Sequence, residues 1–84
     1  MAQELHIASL VVHAKPAALD TVQPGVVALS GTEIHGVSDA GKMVVTLETD
    51  SEAEMLERID AIGKLQGVLS VALVFHQVDD DALQ

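Results

Sequence analysis

Two apolar segments near the ends of the chain constrain its fold most: Leu5-His6-Ile7-Ala8-Ser9-Leu10-Val11-Val12-His13 and Val68-Leu69-Ser70-Val71-Ala72-Leu73-Val74-Phe75-His76-Gln77. Both are rich in β-branched residues and bounded by breakers, Pro16 after the first and Gly67 before the second. Segments this apolar cannot be wetted on both sides, so both are expected as central strands of one sheet. Each nevertheless carries small or polar residues on one phase: Ser9 and His13 on the first, Ser70, Ala72 and His76 on the second. A sheet face that is neither oily nor charged suits a docking platform, and it points to binding.

At 84 residues the chain is expected to form one domain over 1–84, with a flexible acidic tail from about residue 79. A chain of this size buries roughly 60–65% of its unfolded surface, enough for a sheet with two helices on one face. Phe75 is the single aromatic residue, so the core must be aliphatic and base stacking on a sheet has little to work with. The net charge is −9, with Lys15, Lys42, Arg58 and Lys64 as the positive residues. That charge argues against nucleic acid and favours basic partners through electrostatic steering; solubility is the competing explanation. The absence of cysteine removes disulfides and thiol chemistry. Met1-Ala2-Gln3-Glu4 has no basic segment before an apolar core, and no apolar run approaches a bilayer span. The expectation is a soluble cytoplasmic protein that does not insert into membranes.

The element order follows from local signals. A strand over about Leu5–Ala14 precedes Pro16, which is suited to a helix's first turn. Pro24-Gly25 either kinks this helix or stops and restarts it; a distorted helix to about Leu29 is favoured. Thr32–Val37 is a short edge strand weakened by Gly36, and Asp39-Ala40-Gly41 a hairpin turn. Lys42–Thr49 alternates clearly, with Met43, Val45 and Leu47 on one phase and Lys42, Val44, Thr46 and Glu48 on the other. Ser51 and Glu54 form a capping box ahead of an apolar stripe of Met55, Leu56, Ile59 and Ile62. Val78 onward is expected to fray.

A β-α-β-β-α-β order with right-handed crossovers predicts an α+β, ferredoxin-like fold: a four-stranded antiparallel sheet of order 4-1-3-2 with both helices on one face. The helix-facing phase is expected to hold Ala8, Leu10, Val12, Met43, Val45, Leu47, Leu69, Val71, Leu73 and Phe75, with Leu73→Ala costing about 2–5 kcal/mol. The open face is expected to carry Ile7, Ser9, Val11, His13, Glu33, His35, Val44, Thr46, Glu48, Ser70, Ala72, Val74 and His76. Ile7, Val11, Val44, Ala72 and Val74 then make an apolar strip ringed by polar side chains, the kind of patch that marks interaction sites. Self-association through the same face is the competing use.

Chemistry finds less support. Antiparallel strands put His13 and His76 at opposite ends of the sheet, and His6 is expected on the other phase from His76, so no three ligands gather and no metal or other cofactor is expected. No histidine is predicted beside both Ser9 and Ser70, and no group aims at developing charge. The loop after the first strand, Ala14-Lys15-Pro16-Ala17, lacks the arginine an acylphosphatase-type site needs, and no phosphate-cradling glycine motif is present. The chain is not expected to be an enzyme.

Ser9-Leu10-Val11-Val12, the glycine-bearing turn before the third strand and the run Gly67–Gln77 together resemble the NapD family, over essentially the whole chain from Leu5 onward. The resemblance implies a cytoplasmic assembly chaperone of the periplasmic nitrate reductase. It implies binding of the twin-arginine signal peptide of the catalytic subunit, NapA, and delay of export until the molybdenum cofactor is inserted. It further implies a helical peptide lying against the sheet, which assigns Ile7, Ser9, Val11, Glu33, His35, Val44, Thr46, Glu48, Ser70, Ala72 and Val74 as signal-peptide-binding residues. The competing class is a regulatory or ligand-sensing module of the same fold that dimerises through its sheet face, and weak self-association fits either.

Overall fold

The computed structural model describes residues 4–80. Along them run β1 (Glu4–Ala14), a 3-10 turn (Pro16–Ala18), α1 (Leu19–Val27), β2 (Thr32–Val37), β3 (Lys42–Thr49), α2 (Glu52–Gly63) and β4 (Val68–Asp80). The strands form one antiparallel sheet of order β2-β3-β1-β4. Read from its other edge this is the expected 4-1-3-2. The fold is ferredoxin-like, and β4 is an edge strand, as that order requires, although its apolar sequence taken alone suggested a central one.

Local chemistry accounts for the boundaries. Pro16 opens the 3-10 turn, where a missing N–H costs nothing. Pro24 lies inside α1 and does not end it, because the next turn still closes: the Ala28 N–H donates to the Pro24 carbonyl at 3.0 Å. Beside it Gly25 lets α1 approach α2's exit, since an added Cβ would stand 3.1 Å from Leu65 Cδ2. Ser51, extended in backbone, caps α2 by accepting from the Glu54 N–H at 3.1 Å. At the other end Lys64 Nζ meets Asp60 Oδ2 at 2.9 Å, and that hydrogen bond raises the Lys64 pKa above its ordinary value. The β2–β3 turn needs Gly41, at φ +98°, because a Cβ there would collide with the Ala14 carbonyl oxygen.

The core lies between the sheet and the two helices. Ala8, Leu10 and Val12 of β1 and Met43, Val45 and Leu47 of β3 pack with Val22, Val26, Met55 and Ile62 of the helices, all buried. Ile34, Ile59, Leu65, Val68 and Val71 pack against this cluster. The opposite phase of β1 and β3 forms the open face.

Strand β4 departs from the expected alternation. Leu10 pairs with Leu73 but Ser9 pairs with Phe75, so Val74 is an extra residue; likewise His13 pairs with Ser70 and Ala14 with Val68, leaving Leu69 over. A one-residue bulge reverses every side chain beyond it. Phe75 therefore shares the phase of Ser9 on the open face, 53% exposed, instead of entering the core. His76 shares the phase of Ala8 on the helix side, not the open face. Leu73 keeps its expected phase yet is 51% exposed, because an edge strand has a neighbouring strand on one side only. Leu69 is exposed at its own bulge. The strand also runs on through Asp80, pairing Leu5 with Asp79 and Glu4 with Asp80. Asp79 and Asp80, expected in the flexible tail, thus belong to β4, and residues 81–84 lie outside the described ones.

These burials separate two truncations that the sequence treats alike. Leu47→Ala is expected to cost about 2–5 kcal/mol, as for a leucine buried in a packed core. Leu73→Ala should cost less than about 1.5 kcal/mol, because half of that side chain is already in water. Urea unfolding of the two variants measures both; equal losses would put Leu73 in the core.

Candidate functional site

Cross-strand register arranges the open face in rows running across the sheet. The first row is Ser70–His13–Lys42 and the second Ala72–Val11–Val44, where Gly36 of β2 completes the line. The third is Phe75–Ser9–Thr46–Glu33, and the fourth Gln77–Ile7–Glu48. Directly opposed side chains on one face lie close enough to act as a unit. The face thus holds an apolar band of Ile7, Val11, Val44, Ala72 and Phe75, with hydroxyls among it and carboxylates toward one end.

Ten of the residues expected at the site lie on this face. Ile7, Ser9 and Val11 run down β1, Val44, Thr46 and Glu48 down β3, and Ser70 and Ala72 start β4. Glu33 is opposite Thr46 on β2. His35, the extra residue of a bulge between Ile34 and Gly36, joins them: its Nε2 shares a hydrogen bond with Thr46 Oγ1 at 2.7 Å and lies 3.5 Å from Glu33 Oε1. Val74 is the remaining one. It has no partner on β1 and is exposed at the bulge, so the strip does not continue through it. Its neighbours Phe75 and Gln77 take the places assigned by alternation to Val74 and His76. No polar residue interrupts Val71-Ala72-Leu73-Val74-Phe75 to reveal the slip.

The charge is unevenly placed. Lys42 stands in the His13 row, Lys15 follows β1, and Lys64 ends α2 close to the start of β4. Three of the four positive residues therefore gather where β1 ends, while Glu33 and Glu48 occupy rows toward its beginning. Arg58 is turned away on α2, donating to the Ser30 carbonyl at 3.1 Å.

The histidines do not build a metal centre. His6, 6% exposed, lies on the helix side, where its Nδ1 is 3.2 Å from His76 Nε2. The two histidines share a phase, contrary to expectation, because of the Val74 bulge. His13 Nδ1 contacts Ser70 Oγ at 3.3 Å in the exposed first row. Among the described residues no group of three or more His, Cys, Asp or Glu is placed to hold a metal ion.

A family model described as NapD protein matches residues 5–80. The chain belongs to the NapD family. It is 30% identical over 80 residues to the Chaperone NapD of Haemophilus influenzae, spanning 94% of this chain and 86% of that protein. It is 33% identical over 76 residues to the Chaperone NapD of Escherichia coli K12, spanning 88% and 86%. The solution structure of the E. coli Tat proofreading chaperone protein NapD matches with a TM-score of 0.80 at 28% identity, covering 87% of this chain and 78% of that one. NapD proteins are chaperones and not enzymes. No helix of the described residues is long and apolar enough to cross a membrane.

The bulge itself is testable. Deleting Val74 should leave Ser9 opposite Phe75 and Ala8 opposite His76, since the removed residue is the one without a partner. Cross-strand nuclear Overhauser contacts in the wild type and the deletion report these pairs. Contacts from the Phe75 ring to Leu47 or Met55 would place it on the helix side.

Proposed function

We propose that this protein binds the twin-arginine signal peptide of the catalytic subunit of periplasmic nitrate reductase, NapA, in the cytoplasm, and holds back export while that enzyme matures. The observation that carries the reading is the uncovered sheet face, apolar along its middle and acidic toward one end. A sheet of four strands is about 14 Å across from strand to strand. An α-helix with side chains is about 10–12 Å wide, so one amphipathic helix lies on the face and leaves a polar margin.

The peptide's apolar side rests on Ile7, Val11, Val44 and Ala72, with Val74 at the rim. Ala72 and Ser70 are small, which lets the helix come near the β4 backbone. Ser9, Thr46 and His35 supply polar groups between the apolar contacts. The paired arginines lie toward Glu33 and Glu48, away from Lys42, Lys15 and Lys64. The same protein–peptide pairing of opposite charge, −9 on this chain, speeds encounter, while buried apolar contacts set the off-rate. Support also comes from the relative whose structure is described as a Tat proofreading chaperone.

Calorimetry with the signal peptide tests the site. Ala72→Arg with Val11→Asp should abolish measurable binding, while stability changes little for Ala72→Arg alone, an exposed position. Unchanged affinity in the folded double variant would move the site off the sheet. Raising salt from 0.05 to about 0.5 M should weaken wild-type binding by screening. A salt-independent affinity would remove the carboxylates from the interface.

A further inference from the structure

Phe75 is the chain's one aromatic residue, and it is left 53% exposed on the open face. Aromatic rings give a small core more buried area than any other side chain. A core built only from aliphatic residues and methionine, with the single ring outside it, forgoes that gain. What holds the ring out is the backbone: the Val74 bulge sets Phe75 opposite Ser9, whereas regular alternation would have turned it toward the helices.

The ring's surroundings suit an incoming side chain. Ser9 is its partner on β1 and Ala72 precedes it on the same face of β4, so small residues flank it on two sides. Across the sheet its row continues to Thr46 and Glu33, and the next row holds Gln77, Ile7 and Glu48. Glu48 therefore lies about 7 Å further along the strands and about 10 Å across from Phe75. An arginine side chain spans much of the second distance, and one to two helical turns span the first.

Resting on the signal-peptide reading above, we propose that Phe75 is the apolar anchor of the docking face and that, with Glu48, it selects a peptide helix carrying a bulky apolar side chain within about two turns of its arginine pair. The anchor supplies residence time and the carboxylates supply encounter rate. The two contributions separate experimentally, because only the second is screened by salt.

The experiment is surface-immobilised kinetics of the signal peptide with the full chain, over a salt series. Phe75→Ala is expected to weaken binding at least about tenfold, as the loss of a central aromatic anchor does. The loss should appear in the off-rate, with the wild-type salt dependence retained. Phe75→Leu should recover part of the loss. Glu48→Gln should instead slow association and flatten the salt dependence. Val27→Ala on α1, exposed and remote from this face, should match wild type. An affinity for Phe75→Ala within about twofold of wild type overturns the anchor. So does a Phe75→Ala chain that fails to fold, since the ring would then belong to the core. A wild-type chain that does not bind the peptide at all overturns the signal-peptide reading instead, and the anchor falls with it.

Discussion

The long antiparallel ladder between β1 and β4 governs both surfaces of the sheet. β1 is paired on both sides, with β3 and with β4, so its alternation decides what faces the helices across most of the sheet. Along β3 the register is regular from His6–Thr49 to His13–Lys42, and the core side stays a core side throughout. Along β4 it slips twice, at Leu69 and at Val74. The second slip divides the strand. Before it, Val71 lies over the core and Ala72 lies outside; beyond it, Phe75 lies outside and His76 meets buried His6.

This division gives the two faces different chemistry without changing the fold. The helix side gains an imidazole pair at the acidic end of the sheet, where a large apolar ring would otherwise sit. The open side gains that ring, set among Ser9, Ala72 and Ile7. With Glu33 in the ring's own row, Glu48 in the next and Lys42 in the row at the far end, the open face has direction as well as shape. A partner that is apolar along one side and basic at one end matches it in a single orientation.

Local signals and global register differ in how far the sequence displays them. Ser51 and Glu54 three residues apart, the alternation of Lys42–Thr49 and the weak strand Thr32–Val37 reveal their elements directly, because each depends on neighbours within a few residues. Membership of β1 and β3 in the core is equally visible, since Ser9, His13, Lys42, Thr46 and Glu48 mark the wet phase. β4 offers no such marks from Val71 to Phe75. Every residue there is apolar, so a bulge costs no misplaced charge and leaves no trace in the pattern. That is why Phe75 and Gln77 are absent from the face expected from alternation. Apolarity alone misplaces β4 as a central strand, whereas the β-α-β-β-α-β order puts it at the edge, where it lies among the described residues.

The measurement closest to the central claim is chemical-shift mapping of isotope-labelled protein titrated with the twin-arginine signal peptide. Open-face binding predicts perturbations concentrated on Ser9, Val11, Val44, Thr46, Ala72 and Phe75, with the Glu48 region responding to the peptide's basic end. Perturbations concentrated instead on the exposed surfaces of α1 and α2, leaving these strand residues unmoved, would contradict it.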